Sequence, residues 1–279
     1  MTVSAVACVR NLIEQYRRFL LTSYRFLDPA LQQQFVEHLD RADVVIRGPY
    51  VTLAREFVRG RSLAELVKEG KAERELLKLH WPFEDRSLYA HQEKALAIGR
   101  SEQPFIVTTG TGSGKTESFL LPVIDGIMKR KRAGQRGVQA VLLYPMNALA
   151  NDQLERLRRL IRGTGLDLSY GLYTGDSDAT VGKLREDPAE TERLNRGAIR
   201  DNPPDLLLTN YKQLEFLLVR PDDRKLFTPA LRYLVLDELH SYRGALATEI
   251  ACLIRRLKAH AGLAPGGLIG IGTSATVAA

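Results

Sequence analysis

The stretch Thr108-Thr109-Gly110-Thr111-Gly112-Ser113-Gly114-Lys115-Thr116-Glu117 decides the fold of this 279-residue chain. Ahead of it, Phe105 to Thr109 is a largely β-branched run that predicts a buried strand. Behind it, Phe119, Leu120, Leu121, Val123 and Ile124 take up helical spacing. A strand, a glycine-rich turn and a helix start therefore meet at one point. Gly110, Gly112 and Gly114 lack a Cβ, so the backbone can curl with its N–H groups turned inward, and the positive end of the helix dipole reinforces the resulting anion cradle. Such a cradle suits a nucleotide: Lys115 reaches the β- and γ-phosphates and the Thr116 hydroxyl ligates Mg²⁺. Thr111, Ser113 and Glu117 complete the nucleotide-binding stretch. One position departs from the general pattern, which begins with Gly where Thr109 stands.

Outward from the loop the same strand-then-helix order repeats. Apolar runs at Val138–Tyr144, Leu168–Tyr173, Asp205–Thr209, Leu231–Leu236 and Leu268–Gly272 each predict a strand buried on both faces. Each ends in a polar cluster: Pro145-Met146-Asn147, Thr174-Gly175-Asp176, Asn210-Tyr211, Asp237-Glu238-Leu239-His240 and Thr273-Ser274-Ala275-Thr276. Helices are expected at 93–99, 148–161, 190–200 and 245–258. The order specifies an α/β fold with a mostly parallel sheet covered by helices on both faces, and in such sheets ligands bind at the carboxyl ends of the strands. The clusters should line one rim. There Asp237 is the expected carboxylate for Mg²⁺ and Glu238 the one that polarises the attacking water. His240 is placed to hydrogen-bond the Ser274 or Thr276 hydroxyl, coupling two strand ends. Gln92, one helix upstream of the loop, carries both an acceptor and donors and is expected to read adenine at N6 and N7.

Residues 1–80 read as a small helical accessory region. Apolar residues from Val6 to Leu21 share one helical face, Asp28-Pro29 opens a second helix, and Ser62 with Glu65 fits a capping box for a third that Gly70 interrupts. The texture changes at Trp81, so 81–279 is expected to form the nucleotide-binding domain. The net charge of +7 is spread along the chain, compatible with nucleic acid but not pointing to it. Within Lys129-Arg130-Lys131-Arg132 the expectation is positive charge complementing a helix C-terminus. Cys8 and Cys252 lie far apart in helical patterns and suggest reduced core thiols in a cytoplasmic protein, with neither a disulfide framework nor a metal site. No apolar run approaches a membrane span.

Taken in order, Gln92, Thr109–Thr116, Pro145–Gln153, Thr174-Gly175, Thr209-Asn210, Asp237-Glu238-Leu239-His240 and Ser274-Ala275-Thr276 resemble the Q motif and motifs I, Ia, GG, Ib, II and III of superfamily-two DExH/DEAD-box helicases. The resemblance covers 81–279, the first RecA-like P-loop domain. Leu88-Tyr89-Ala90-His91-Gln92 and Asp237 to Gly244 look most like the large bacterial MrfA/Hrq-like helicases, some of whose relatives, such as the DrmA helicase of the DISARM system, serve in phage defence. The resemblance implies ATP and Mg²⁺ as cofactors and ATP-driven 3′-to-5′ movement on single-stranded or tailed DNA. It carries Pro145, Met146, Asn147, Thr174, Gly175, Thr209 and Asn210 over as nucleic-acid contacts, and Ser274, Ala275 and Thr276 as coupling residues. An RNA helicase fragment and a non-catalytic ATP-binding scaffold are the alternatives. Other defence or repair proteins are further expected partners, and no membrane is.

Helicases of this type close ATP between two RecA-like domains, and the second is absent here. The sequence ends just past Thr276, so the expectation is that it is the N-terminal part of a longer polypeptide. Residues 1–279 alone should then release no phosphate from ATP at steady state; turnover that Lys115→Ala removes would contradict this.

Overall fold

The structure is a computed structural model that describes residues 4–41, 44–45, 56–82, 87–110, 112–175 and 191–275. Thr111, Asp176 and Thr276, singled out above, lie outside the described residues. Contacts divide the chain into two compact units, 1–56 and 57–279. The first holds α1 (Ala5–Ser23) and α2 (Pro29–Leu39). Asp28 caps α2 as expected, its Oδ1 accepting from the Ala30 and Leu31 N–H groups, and Pro29 occupies the first turn.

The second unit begins with β1 (Arg59–Ser62), α3 (Leu63–Lys68) and a 3₁₀ turn (Arg74–Lys78). Then come β2 (Ser87–Tyr89), α4 (Ala90–Arg100), β3 (Phe105–Thr108), α5 (Lys115–Arg132), β4 (Ala140–Tyr144), α6 (Asn147–Ile161) and β5 (Tyr170–Tyr173). The chain continues through β6 (Glu192–Arg193), α7 (Arg196–Asp201), β7 (Leu206–Asn210), α8 (Tyr211–Val219) and α9 (Pro221–Arg224) to β8 (Tyr233–Leu236), α10 (Ala245–His260) and β9 (Ile269–Ser274). The capping box at Ser62 starts α3, and the helix stops before Gly70, whose φ of 70° suits glycine. The unit boundary at 56/57 lies ahead of the texture change at Trp81. Leu63, Leu66, Ala72, Leu76 and Leu79 are buried in the same apolar cluster as α5 and the sheet, which places 57–80 with the second unit.

Among the described residues the main sheet has seven strands, all parallel, in the order β3-β9-β8-β4-β7-β5-β6. Alternate side chains point to opposite faces. Ala140, Leu142 and Tyr144 enter the apolar cluster shared with α5 and α6, whereas Val141 and Leu143 enter the one shared with α8 and α10. Helices thus cover both faces, and β4 is buried along its whole length. Four local expectations shift. The strand expected to be buried at 105–109 is β3, the end strand of the sheet among the described residues, and Ile106 on it is 63% exposed because no further strand or helix among them covers that side chain. The polar stretch before β7 gives the two-residue β6 and a short α7 rather than a helix from 190. A small antiparallel pair, β1 with β2, had no alternation strong enough to announce it. Cys8 and Cys252 are free but exposed, because Ile250, Leu253 and Leu257 form the buried stripe of α10 and position 252 falls off it. No helix among the described residues is long and apolar enough to cross a membrane.

The basic run ending α5 serves the fold. Arg130 donates to the Gln139 side chain and the Ala230 carbonyl, and Arg132 pairs with Glu73 and Glu75. Lys131 reaches the buried Asp205 at 2.7 Å. Asp205 also accepts from Ser169 N (2.9 Å), Ser169 Oγ (2.9 Å) and Gln139 Nε2 (3.1 Å), which clips β4, β5 and β7 together at their amino ends. Removing the carboxylate leaves a nearly buried ammonium with only the exposed Asp167 for a partner among the described residues. Asp205→Ala is therefore expected to destabilise the fold by about 3 kcal/mol, the low end for a broken buried pair. A urea-unfolding midpoint that falls with its slope unchanged would show this.

Candidate functional site

The parallel order puts every carboxyl end on one edge. Along it run the phosphate loop after β3, Thr273-Ser274 at the end of β9 with Ala275 after it, Asp237-Glu238 after β8, Pro145-Met146-Asn147 after β4, Asn210 at the end of β7 and Thr174-Gly175 after β5. The nucleotide-type residues thus occupy three adjacent strand ends and the expected nucleic-acid residues the next three.

The loop is held from several directions. Gly112 and Gly114 have φ of 77° and 73°, which side chains rarely adopt, and a Cβ on Gly114 would collide with Gln92 Nε2. Gln92 is buried, and both ends of its amide are engaged: Oε1 accepts from Tyr89 N at 2.8 Å and Nε2 donates to the Gly114 carbonyl at 3.1 Å. It ties the start of α4 to the loop, with one amide hydrogen and one lone pair left over. His91, quoted above within Leu88 to Gln92 but given no role, donates through Nε2 to the Ser113 carbonyl at 2.8 Å. Thr109 and Ser113 share a hydroxyl hydrogen bond of 2.6 Å, so the residue that departs from the general pattern also fastens the loop. Lys115 Nζ donates to the carbonyls of Thr109 (2.9 Å) and Gly110 (3.2 Å), holding its charge across the loop.

Gln92, Gly112, Gly114, Lys115, Thr116 and Glu117 line one concavity of 340 Å³ together with Pro82, Tyr89 and Arg156. A cation, glycines in positive-φ conformations and a threonine hydroxyl at a helix start form a donor set that fits a triphosphate and its metal. Arg156 came forward only with the structure. One guanidinium nitrogen donates to Thr116 Oγ1 at 3.2 Å and another pairs with the buried Glu117 carboxylate. In sequence it is one of several arginines on α6, and nothing there distinguishes it.

At the end of β8 the ladder continues one residue further, Asp237 N donating to the Leu143 carbonyl at 3.0 Å. The chain then turns sharply at Glu238, whose φ of 52° is unusual for a non-glycine and costs on the order of 1–3 kcal/mol. Glu238 N is held by Asp237 Oδ1 (3.1 Å) and Thr273 Oγ1 (3.3 Å), and the Thr273 hydroxyl donates to Asp237 Oδ1. His240 Nδ1 lies 3.2 Å from Ser274 Oγ and 3.3 Å from Glu238 Oε2. The expected pairing of His240 with Ser274 is present, and Thr273 adds a second bridge between β8 and β9 that the sequence reading passed over. Tyr144 and Tyr242 are raised from the ordinary phenol range, first by burial and then by the Asp237 charge, so both stay neutral beside it.

The other half of the rim divides by exposure. Met146 and Gly175 are exposed, and Pro145, Asn147 and Asn210 are partly so. Thr174 and Thr209 are buried, and the Thr209 hydroxyl donates to the Tyr173 carbonyl at 2.7 Å, which spaces β7 against β5 rather than facing solvent. Asn210 Nδ2 donates to Asn147 Oδ1 at 2.5 Å while its own Oδ1 caps α8 through Gln213 N. Arg196 donates to the carbonyls of Thr174 (2.8 Å) and Gly175 (2.6 Å).

Druantia protein DruE of Escherichia coli (strain UMEA 4076-1) is 28% identical over 89% of this chain and 19% of its own length. The uncharacterized ATP-dependent helicase YprA of Bacillus subtilis (strain 168) is 31% identical over 68% of this chain and 23% of its own. This chain therefore spans about a fifth to a quarter of the length of these two relatives. Among solved structures, the DUF1998 helicase MrfA bound to DNA superposes with a TM-score of 0.63 at 27% identity, covering 80% of this chain and 27% of that one. The family model of DEAD/DEAH box helicases matches residues 89–279, and the chain belongs to that family.

Proposed function

We propose that this chain is the ATP-binding part of a DNA helicase or translocase that moves 3′ to 5′ along single-stranded DNA. The observation that carries the reading is the strand order, which sets nucleotide-type and nucleic-acid-type strand ends side by side on one edge. DNA rather than RNA is supported by the solved MrfA complexes with DNA and with DNA and AMPPNP. The resemblance to the MrfA/Hrq-like helicases, some of whose relatives serve in phage defence, supports work in that setting, with DNA repair as the other. The proposal includes a cytoplasmic location and a second RecA-like domain as partner.

Phosphoryl transfer asks a protein for positioning and charge rather than covalent chemistry. Lys115 brings a positive charge to the loop, and Thr116 with Asp237 would hold Mg²⁺, which supplies neutralisation of the phosphate oxygens when bound. Gln92 would meet adenine with the amide valences that Tyr89 and Gly114 leave over. Glu238 holds its carboxylate at the turned strand end, next to His240, where it orients and polarises water. Ser274, the last residue of β9, lies beside that histidine and Ala275 follows it, so a movement of one strand end reaches the other. Met146, Asn147, Gly175 and Asn210 offer short side chains and backbone to phosphates without reading bases.

The test is ATP-dependent unwinding of a tailed duplex by the full-length polypeptide. Glu238→Gln is expected to lower single-stranded-DNA-stimulated ATP turnover by about 10²–10⁴-fold, the usual contribution of a positioned general base, while nucleotide binding survives. Lys115→Ala is expected to remove both. Stimulation by RNA but not DNA would favour an RNA helicase, and turnover indifferent to nucleic acid and to Glu238→Gln would favour a scaffold.

Asn210→Ala removes the hydrogen bond to Asn147 and the cap of α8 together. Single-stranded-DNA affinity, read by fluorescence anisotropy at fixed salt, is expected to fall by about tenfold, the equivalent of roughly 1.4 kcal/mol. Equal affinity in the variant would remove Asn210 from the interface.

A further inference from the structure

Helix α6 connects the two halves of the rim. It begins at Asn147, which is hydrogen-bonded to Asn210 among the expected nucleic-acid contacts. Nine residues on, about 13 Å along the axis at the usual rise, it carries Arg156. Neither glycine nor proline interrupts the helix between these points, so displacement at one end is carried to the other as a rigid body.

Arg156 is placed where it interferes with the site. Its guanidinium donates to Thr116 Oγ1 at 3.2 Å, and that hydroxyl is the one the phosphate-loop reading assigns to the metal. A hydroxyl oxygen with an arginine N–H aimed at it has a lone pair engaged and a positive charge where a divalent cation has to approach. The arginine is anchored by Glu117, whose side chain is 3% exposed and whose second oxygen finds no partner among the described residues. Arg156 and Glu117 also line a neighbouring cavity of 510 Å³ with Trp81, Leu120 and Leu160, so the guanidinium has open space beside it into which it can swing.

We propose that Arg156 is a positioning residue that holds the Thr116 hydroxyl away from the metal, and that nucleic acid bound at the amino end of α6 releases it. The inference rests on the reading above and adds to it a route by which the strand-gripping half of the rim controls the nucleotide half. Nucleotide binding without nucleic acid is then restrained by one ion pair.

The experiment titrates Mg²⁺ against binding of a fluorescent, non-hydrolysable ATP analogue to the full-length polypeptide, with and without single-stranded DNA. In the unsubstituted protein, DNA should lower the Mg²⁺ concentration for half-maximal binding. Arg156→Gln should lower it by about fivefold or more without DNA, the scale of a modest coupling between sites, and DNA should then change it no further. Unstimulated ATP turnover should rise in parallel and the stimulation ratio should shrink, with DNA affinity unchanged. Glu117→Gln, which takes away the anchor, should move the Mg²⁺ titration in the same direction and serves where Arg156→Gln does not fold. A titration and stimulation ratio in both variants matching the unsubstituted protein would overturn the proposal. Lys115→Ala separates the two levels. If it binds the analogue as well as the unsubstituted protein does, the nucleotide reading fails; if it loses binding while the Arg156 and Glu117 variants behave normally, only the coupling fails.

Discussion

A strand buried on both faces can offer polar chemistry only at its ends, because any polar side chain along its length would be desolvated without a partner. β4 is buried over its whole length, and β7 over all but its last residue, Asn210. With all strands parallel, their carboxyl ends have to share one edge, and helix starts with unpaired N–H groups gather there too. The rim is thus a consequence of the packing, and the chemistry concentrated on it follows from the same constraint.

What holds the rim together is a set of short polar bridges between neighbouring strand ends. Thr273 ties β9 to Asp237 and Glu238, His240 returns the connection to Ser274, and Thr209 ties β7 to the end of β5. Glu238 sits in a conformation that isolated residues of its type avoid, kept there by two hydrogen bonds to its N–H. Strain of this kind persists only where the surroundings over-determine it. At the opposite edge Asp205 plays the matching part for the amino ends, so the sheet is pinned at both edges and greasy in between.

Charge is divided with the same economy. The basic run that ends α5 points away from the rim into Glu73, Glu75, Asp205 and Asp167, while Lys115, Arg156 and Arg196 are turned towards it. Composition shows neither group. A net charge of +7 spread over the chain becomes informative only once the fold decides which cations face which edge.

Sequence by itself determined the loop, the six long apolar strands, their polar ends and the α/β class, since each depends on residues within a turn or a strand of one another. It also placed Asn147, Asp237, Glu238 and Ser274 at strand ends, because periodicity breaks there. Tertiary structure alone decided the strand order that sorts those ends into two halves, the burial that turns Thr174 and Thr209 inward, and the double engagement of Gln92. It alone paired Arg156 with Thr116 across 40 positions and Thr273 with Asp237 across 36. Such contacts leave no local mark, because what selects an arginine on a helix surface is the neighbour that packing brings to it, and that neighbour is set by the sheet rather than by the residues beside it.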